Sequence, residues 1–429
     1  MGNVNPARKL AHTSLVSALS CKKYVNLEVQ TALKRSSLEG ADRALYSAIV
    51  YGTVERLKTI DFIISKLSNR PMDELDIETL CAIRIGICQM AFMDRIPNHA
   101  AVDESVELAP KKSRGFVNAI LRSYLRNKPE MPKKEDGLIK YLSINYSAPA
   151  ELCELFVRDW GSEAEDILAA FLERERLSLH LNTLREDSLC EAKKLGATES
   201  ELCCGVVNIP SFDGALEGIE KGLWFVQDEA SAYAAEVLGA LPGETVIDTC
   251  AAPGGKSFAV ALAMKNEGKL YSFDLHDNKI SLIKKGAEKL GITIIEARAQ
   301  NAKTPAEELM GKADRVLCDA PCSGLGVIGK KPDIKYKDIS SVEGLPKVQA
   351  EVLRGAAQYV KQGGVLVYST CTLNKKENEE VVLDFLRENK EFSLVPFGET
   401  DGMRTMLPHK DKTDGFFIAK LKRGETNEN

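Results

Sequence analysis

Two cysteines occupy matching places in the second half of the chain. Cys322 lies in Asp319-Ala320-Pro321-Cys322-Ser323-Gly324, directly after the apolar run Ala313–Asp319, and Cys371 lies in Ser369-Thr370-Cys371-Thr372, directly after Gly364–Ser369. Short apolar runs of this kind read as buried strands. One such cysteine is usually a small buried apolar residue. Two at corresponding strand ends, one preceded by Asp-Ala-Pro, are expected to be a functional pair, brought together with Asp319 if the strands are neighbours. The chemistry that wants this arrangement is attack on a pyrimidine ring. Carbon 5 of cytosine is a poor nucleophile until a thiolate adds to carbon 6 and an acid donates to N3. Carbon 5 then accepts a methyl group, a base removes its proton, and the thiol leaves. An aspartate bonding N3 and the exocyclic amine distinguishes cytosine from uracil.

A second site lies upstream. Asp248-Thr249-Cys250-Ala251-Ala252-Pro253-Gly254-Gly255-Lys256-Ser257 follows the strand-like Thr245–Asp248. A P-loop needs glycine five places before Gly255, where Cys250 stands, and no G-x-G-x-x-G occurs here. What remains is a loop of small residues, Cys250, Ala251, Ala252, Pro253, Gly254 and Gly255, that lets backbone approach a ligand at a helix N-terminus. Asp274 ends the next apolar run, Lys269–Phe273, where an acid accepts from ribose hydroxyls. Loop and acid together are what a nucleoside-bearing cofactor requires.

These residues need a scaffold that aims successive strand ends at one place. After Leu223 strands alternate with helices: Thr245–Asp248, a helix from about Lys256, Lys269–Phe273, a helix over Asn278–Leu290, then Ile292–Ile295, Ala313–Asp319, Gly364–Ser369 and Gly415–Leu421. That alternation predicts a parallel, doubly wound, Rossmann-like α/β sheet binding its ligand at the carboxyl ends of the strands. Residues 1–140 carry apolar residues at three- and four-residue spacing and read as all-α. The expected organisation is a helical domain over 1–132, a linker over 133–148, a small α+β region over 149–222, the α/β domain over 223–423, and a frayed tail over 424–429.

Composition bounds the class. The 429 residues are 44% hydrophobic and 28% charged, as in an ordinary folded protein. The net charge of -5 divides unevenly, because residues 1–140 hold 22 Lys+Arg against 16 Asp+Glu and so carry +6. A basic module beside an acidic remainder points to a polyanion partner. Lys111, Lys112, Arg114, Arg122, Arg126 and Lys128 are the candidate phosphate contacts. The start of the chain lacks the apolar core of a signal peptide, and no uncharged apolar run is long enough to cross a bilayer, so a cytoplasmic protein is expected. Eleven cysteines and five scattered histidines give neither a disulfide framework nor zinc-ligand spacing; reduced thiols and no metal are expected.

The three loop sequences, with Phe225-Val226-Gln227-Asp228-Glu229-Ala230-Ser231 and Asp414-Gly415-Phe416-Phe417-Ile418-Ala419-Lys420-Leu421, resemble the RNA cytosine-5 methyltransferases that use S-adenosylmethionine. The resemblance covers roughly residue 150 to the end. The first part, through Asn98–Ala109 and Gly115–Arg122, is similar to the antitermination factor NusB, an all-helical RNA-binding fold. The combination resembles the bacterial 16S rRNA cytosine-5 methyltransferase B (Sun/Fmu) family.

That resemblance implies an enzyme that methylates one cytosine of 16S rRNA before the subunit is fully assembled; a monomer is compatible with the sequence, which does not fix the oligomeric state. It makes Cys371 the nucleophile and Cys322 the residue aiding product release, an order the spacing alone leaves open. It places Asp319 at cytosine N3, Lys256 beside that aspartate, Cys250–Gly255 along the methionine moiety, and Asp274 on the ribose. Asn301, in Gln300-Asn301-Ala302, stands where the family usually has an adenine-side aspartate; it keeps an acceptor oxygen and adds a donor. Glu377-Asn378-Glu379 either orients the active loop or is a helix N-terminal acid. The rival readings are a cytosine-5 methyltransferase acting on tRNA or another rRNA site, and a non-catalytic rRNA-binding assembly factor.

Overall fold

The computed structural model describes residues 4–21, 24–173, 177–212 and 214–424. Two compact units result, one of Met1–Leu172 with Ile328–Lys337, the other of Glu173–Val327 with Asp338–Asn429. Among the described residues no helix is long and apolar enough to cross a membrane.

The first unit is helical, as expected. Its helices are α1 (Pro6–Cys21), α2 (Val25–Arg35), α3 (Gly40–Glu55), α4 (Leu57–Leu67), α5 (Ile77–Phe92), α6 (Asn98–Leu108), α7 (Arg114–Arg126), α8 (Leu138–Asn145), α9 (Ala150–Trp160) and α10 (Ala164–Ala170). Helix α5 is buried on almost every side, Arg84 and Gln89 included, and is the one the others surround. Asp76 caps it by accepting from Thr79 N at 2.8 Å. Ile83 and Ile87 face one core cluster, with α4 and α7, while Cys81 and Ile85 face another, with α1 and α3.

The stretch 133–148 is not the linker its charges suggest. It forms a 3-10 turn and α8, with Leu142 buried and the hydroxyls of Tyr141 and Tyr146 both donating to Glu165 of α10 at 2.7 and 2.8 Å. Helices α9 and α10, expected in the α+β region, belong to this first unit.

The strap Ile328–Lys337 comes to this unit from far along the chain. Lys335 is 3% exposed, and its ammonium donates to the carbonyl of Glu55 at 2.6 Å. Tyr336 donates to the carbonyl of Val54 at 3.0 Å. Burial pushes the Lys335 amine down to about 7 from 10.5. At pH 7 and below, the folded chain bears that buried charge and its full cost. Between 7 and 10.5 the folded amine is neutral while the unfolded one stays charged, so the cost shrinks by about 1.4 kcal/mol per pH unit. Lys335→Met is therefore expected to stabilise the chain most near pH 6.5, with the gain falling steadily toward pH 9.5. Urea unfolding of both proteins across that range measures it, and a pH-independent difference contradicts it.

In the second unit, β1 (Leu177–Leu181), α11 (Ser188–Lys194), β2 (Thr198–Glu199), β3 (Val206–Ile209), α12 (Ala215–Glu220) and β4 (Trp224–Val226) make a small sheet of order β2-β3-β1-β4. It ends at Val226, a little beyond the expected boundary at 222. Then follow α13 (Glu229–Leu238), β5 (Thr245–Asp248), α14 (Gly255–Ala263), β6 (Lys269–Asp274), α15 (Asp277–Leu290), β7 (Ile295–Ala299), β8 (Ala313–Asp319), α16 (Leu345–Ala357), β9 (Val360–Thr370), α17 (Glu379–Glu388), β10 (Phe392–Leu394), β11 (Met403–Met406), α18 (Pro408–Asp411) and β12 (Phe416–Arg423).

The large sheet runs β10-β12-β9-β8-β5-β6-β7, with β11 paired to β12. The five strands from β9 to β7 are parallel, and β12 joins β9 antiparallel, so the sheet is mixed rather than all-parallel. Alternate residues feed opposite faces: Val246, Leu317 and Val367 pack under α13–α15, whereas Ile247, Val316 and Leu366 pack under α16 and α17. The strand order reverses beside β5, so the loops after β5 and β8 open on the same crevice.

The polar tail lies outside the described residues beyond Gly424.

Candidate active site

The loop after β5 is shaped by what stands behind it. Asp248 is buried, accepts from Ser257 Oγ at 2.7 Å, and is held by burial up to about 7. Ser272 Oγ donates to the same Ser257 hydroxyl at 2.8 Å, which pins the start of α14 to β5 and β6. Gly254 has φ +120°, and a Cβ there would lie 2.3 Å from the ring of Phe258. Only glycine lets the chain turn so tightly onto that ring. At the mouth, the Gln227 amide lies 3.6 Å from where a Gly255 Cβ would stand, and Gln227 Oε1 contacts His180 Nδ1 at 2.8 Å. Burial pushes His180 down to about 4, so its neutral ring donates to Gln227 through Nδ1.

Asp274 ends β6 with its carboxylate nearly buried. Oδ1 accepts from His276 N at 3.2 Å and lies 3.4 Å from Lys279 Nζ; Oδ2 has no protein partner among the described residues. Asn301 is exposed in the loop after β7, where its Oδ1 accepts from Lys303 N at 3.0 Å. A narrow loop of small residues, a carboxylate oxygen free at the next strand end and an amide beyond it fit a nucleoside-bearing cofactor.

The two cysteines meet. Cys322 Sγ and Cys371 Sγ are 3.3 Å apart. Asp319 and Ser369 are register partners across β8 and β9, so the loops that follow leave the sheet side by side. Lys256 Nζ donates to Asp319 Oδ2 at 2.8 Å, Ser369 Oγ donates to Oδ1 at 2.7 Å, and the ammonium sits 5.0 Å over the Phe416 ring. Burial, the largest single influence on Lys256, pulls its pKa down, but the charges of Asp319, Cys371 and Asp248 outweigh it and leave it raised. Lys256 is thus a fixed cation facing both the carboxylate and the Cys371 sulfur.

Either sulfur of the pair can donate to the other, and the surroundings act strongly on Cys322. Its hydrogen bond with Cys371 and then its burial hold that thiol well above the usual range. The two sulfurs are thus placed to share one proton.

Around the pair lies a network that the motifs did not reveal. Glu377 Oε2 accepts from Ser323 N and from Gln349 Nε2, both at 2.9 Å, and Oε1 accepts from Asn374 Nδ2 at 2.9 Å. Asn378 accepts from Thr370 Oγ1 at 2.5 Å and donates to the Thr372 carbonyl at 2.9 Å, bracketing Cys371. Gly326 N donates to the Cys371 carbonyl at 2.9 Å, and a Cβ on Gly326 would fall 1.8 Å from the Gly415 carbonyl. Glutamate two places before a helix was the one visible sign of this network.

The basic candidates lie in the helical unit. Lys111, Lys112, Arg122, Arg126 and Lys128 are exposed on α7 and its approaches. Arg114 is engaged within the fold instead, paired with Glu107 at 2.8 Å and donating to the carbonyls of Glu107 and Ala109.

The family profile described as 16S rRNA methyltransferase RsmB/F matches residues 235–422, and that of the NusB family matches residues 5–126. A probable ribosomal RNA small subunit methyltransferase B of Bacillus subtilis (strain 168) is 35% identical over 97% of this chain and 98% of its own length. Its namesake in Synechocystis sp. (strain ATCC 27184 / PCC 6803 / Kazusa) is 34% identical over 97% and 99%. The crystal structure of PH0851 superposes with a TM-score of 0.80 at 29% identity, covering 97% of this chain and 99% of that one. Similarity of this depth, over both units and nearly the whole of each relative, means that the chain belongs to the ribosomal RNA small subunit methyltransferase B family.

Proposed function

We propose that this protein methylates carbon 5 of one cytosine in 16S rRNA, using S-adenosylmethionine and a transient bond between Cys371 Sγ and carbon 6. The contact of the two sulfurs beside the Lys256–Asp319 pair is the observation that carries the reading. The cofactor, when bound, would supply an electrophilic methyl group on a sulfonium, the methyl–sulfur bond breaking as carbon 5 takes the methyl and a neutral thioether leaves. Cys250–Gly255 line its methionine end, Asp274 takes the ribose hydroxyls, and Asn301 lies on the adenine side.

The remaining work falls to the side chains. Cys371 thiolate bonds carbon 6, and the ring takes up the electron pair as N3 accepts a proton held between Lys256 and Asp319. Bonding to carbon removes the hydrogen bond with Cys371 that is the largest influence raising the Cys322 thiol. Cys322 then loses its proton to water and, as thiolate, takes the proton from methylated carbon 5. The carbon 5–carbon 6 double bond re-forms, the carbon–sulfur bond breaks toward Cys371, and the N3 proton returns. The pair ends as it began, with one proton between the two sulfurs.

The RNA is reached as free rRNA, before the subunit is complete, by one copy of the chain. Lys111, Lys112, Arg122 and Arg126 contribute phosphate contacts through the helical unit. Bisulfite sequencing of 16S rRNA from cells with and without the protein tests the assignment. One 5-methylcytosine should vanish on deletion, and an unchanged set overturns the substrate.

A further inference from the structure

We infer that Glu377 is a positioning residue that holds the two sulfur-bearing loops in register, so that Cys322 stands where Cys371 needs it. The inference rests on the covalent reading above. Glu377 is wholly buried, and no Lys, Arg or His side chain among the described residues pairs with it. A carboxylate placed so is costly unless every lone pair it offers is used. Here both oxygens are used, and each serves a different loop. Oε2 takes Ser323 N, the residue after Cys322, and the amide of Gln349, which also donates to the Pro321 carbonyl at 3.0 Å on the other side of Cys322. Oε1 takes the amide of Asn374, three residues past Cys371.

All three groups facing Glu377 are donors. Glutamine has the right volume but one acceptor oxygen, so it would turn an N–H toward a donor and release one of the loops. A second observation points the same way. Gln349 Oε1 is buried with no hydrogen-bond partner among the described residues, so that amide is fixed by what it holds rather than by its own satisfaction. Side chains on α16 and ahead of α17 are thus arranged around the Cys322 loop.

The test compares single-turnover methyl transfer, adduct formation and adduct decay for the parent, Glu377→Gln, Gln349→Met and Cys371→Ala, in the full chain with rRNA and S-adenosylmethionine. Glu377→Gln is expected to lower the methyl-transfer rate on the order of 10²-fold, the cost of misplacing reacting groups by about an ångström. The KM values for RNA and cofactor should change less than about twofold, because neither site is touched. Gln349→Met keeps the Glu377 charge and the Asn374 bond but frees Pro321. Adduct should form at the parent rate and decay about tenfold more slowly.

A Glu377→Gln protein within about threefold of the parent rate overturns the inference, as does a raised RNA KM with turnover preserved. If Glu377→Gln does not fold, Gln349→Met decides: slowed decay supports the inference and parent-like decay overturns it. A Cys371→Ala protein that still methylates defeats the covalent reading and this inference together. A dead Cys371→Ala beside a fully active Glu377→Gln defeats this inference alone.

Discussion

Cys371→Ala is expected to bring methyl transfer to background, a fall on the order of 10⁴-fold or more, because no step remains that makes carbon 5 nucleophilic. Cys322 cannot take over, although its sulfur is only 3.3 Å away. Its loop is anchored on both sides, by Ser323 N to Glu377 and by the Pro321 carbonyl to Gln349, so the sulfur cannot shift into the vacated place without breaking buried hydrogen bonds. Cofactor affinity should stay within about twofold of the parent, since Cys250–Gly255 and Asp274 lie on other strand ends. Methyl incorporation into unmodified 16S rRNA, paired with cofactor binding by calorimetry, separates these effects. A variant retaining a tenth of the parent rate or more would mean that Cys371 is not the nucleophile.

Why the strand ends were legible while the network around them was not follows from how each is encoded. Thr245–Asp248 and Ala313–Asp319 are β5 and β8 residue for residue, because buried parallel strands must be apolar on both faces and polar loops bound them sharply. Ile292–Ile295 misled. Gly291, at φ +71°, ends α15 in the left-handed region, Ile292 N bonds back to the Ala287 carbonyl, and the buried Ile292 side chain belongs to that helix cap. The strand begins only at Ile295, and it is an edge strand whose Glu296 and Arg298 hide it in a polar stretch. Strands β10 and β11 escaped notice for the same reason, being short and at the margin. In the site, Asp319, Cys322 and Cys371 announced themselves by standing at strand ends. Glu377 stood there only as one of two open readings and Gln349 not at all, because the partners that tie them to the Cys322 loop lie 28 and 54 residues away along the chain.

Cys322→Ala should fail later in the cycle, and more visibly. Attack by Cys371 needs Lys256, Asp319 and its own thiolate, all of which remain, so the bond to carbon 6 forms and the methyl group is transferred. Removal of the carbon 5 proton has then lost its base, and water, a far weaker base than a thiolate, is a poor substitute, so decay of the adduct slows by on the order of 10²- to 10⁴-fold. A denaturation-resistant protein–RNA species should accumulate to near one per active site, carrying a methylated base, and it should be absent from Cys371→Ala and from the double variant. Losing the Cys322 sulfur also removes the hydrogen-bond contact beside Cys371, so adduct formation should slow modestly, by about tenfold or less. That minor cost on attack beside a major block on release is the signature of a base that acts second. The opposite pattern, an adduct that requires Cys322 and forms without Cys371, would exchange the two roles and place the nucleophile on the Asp-Ala-Pro-Cys loop.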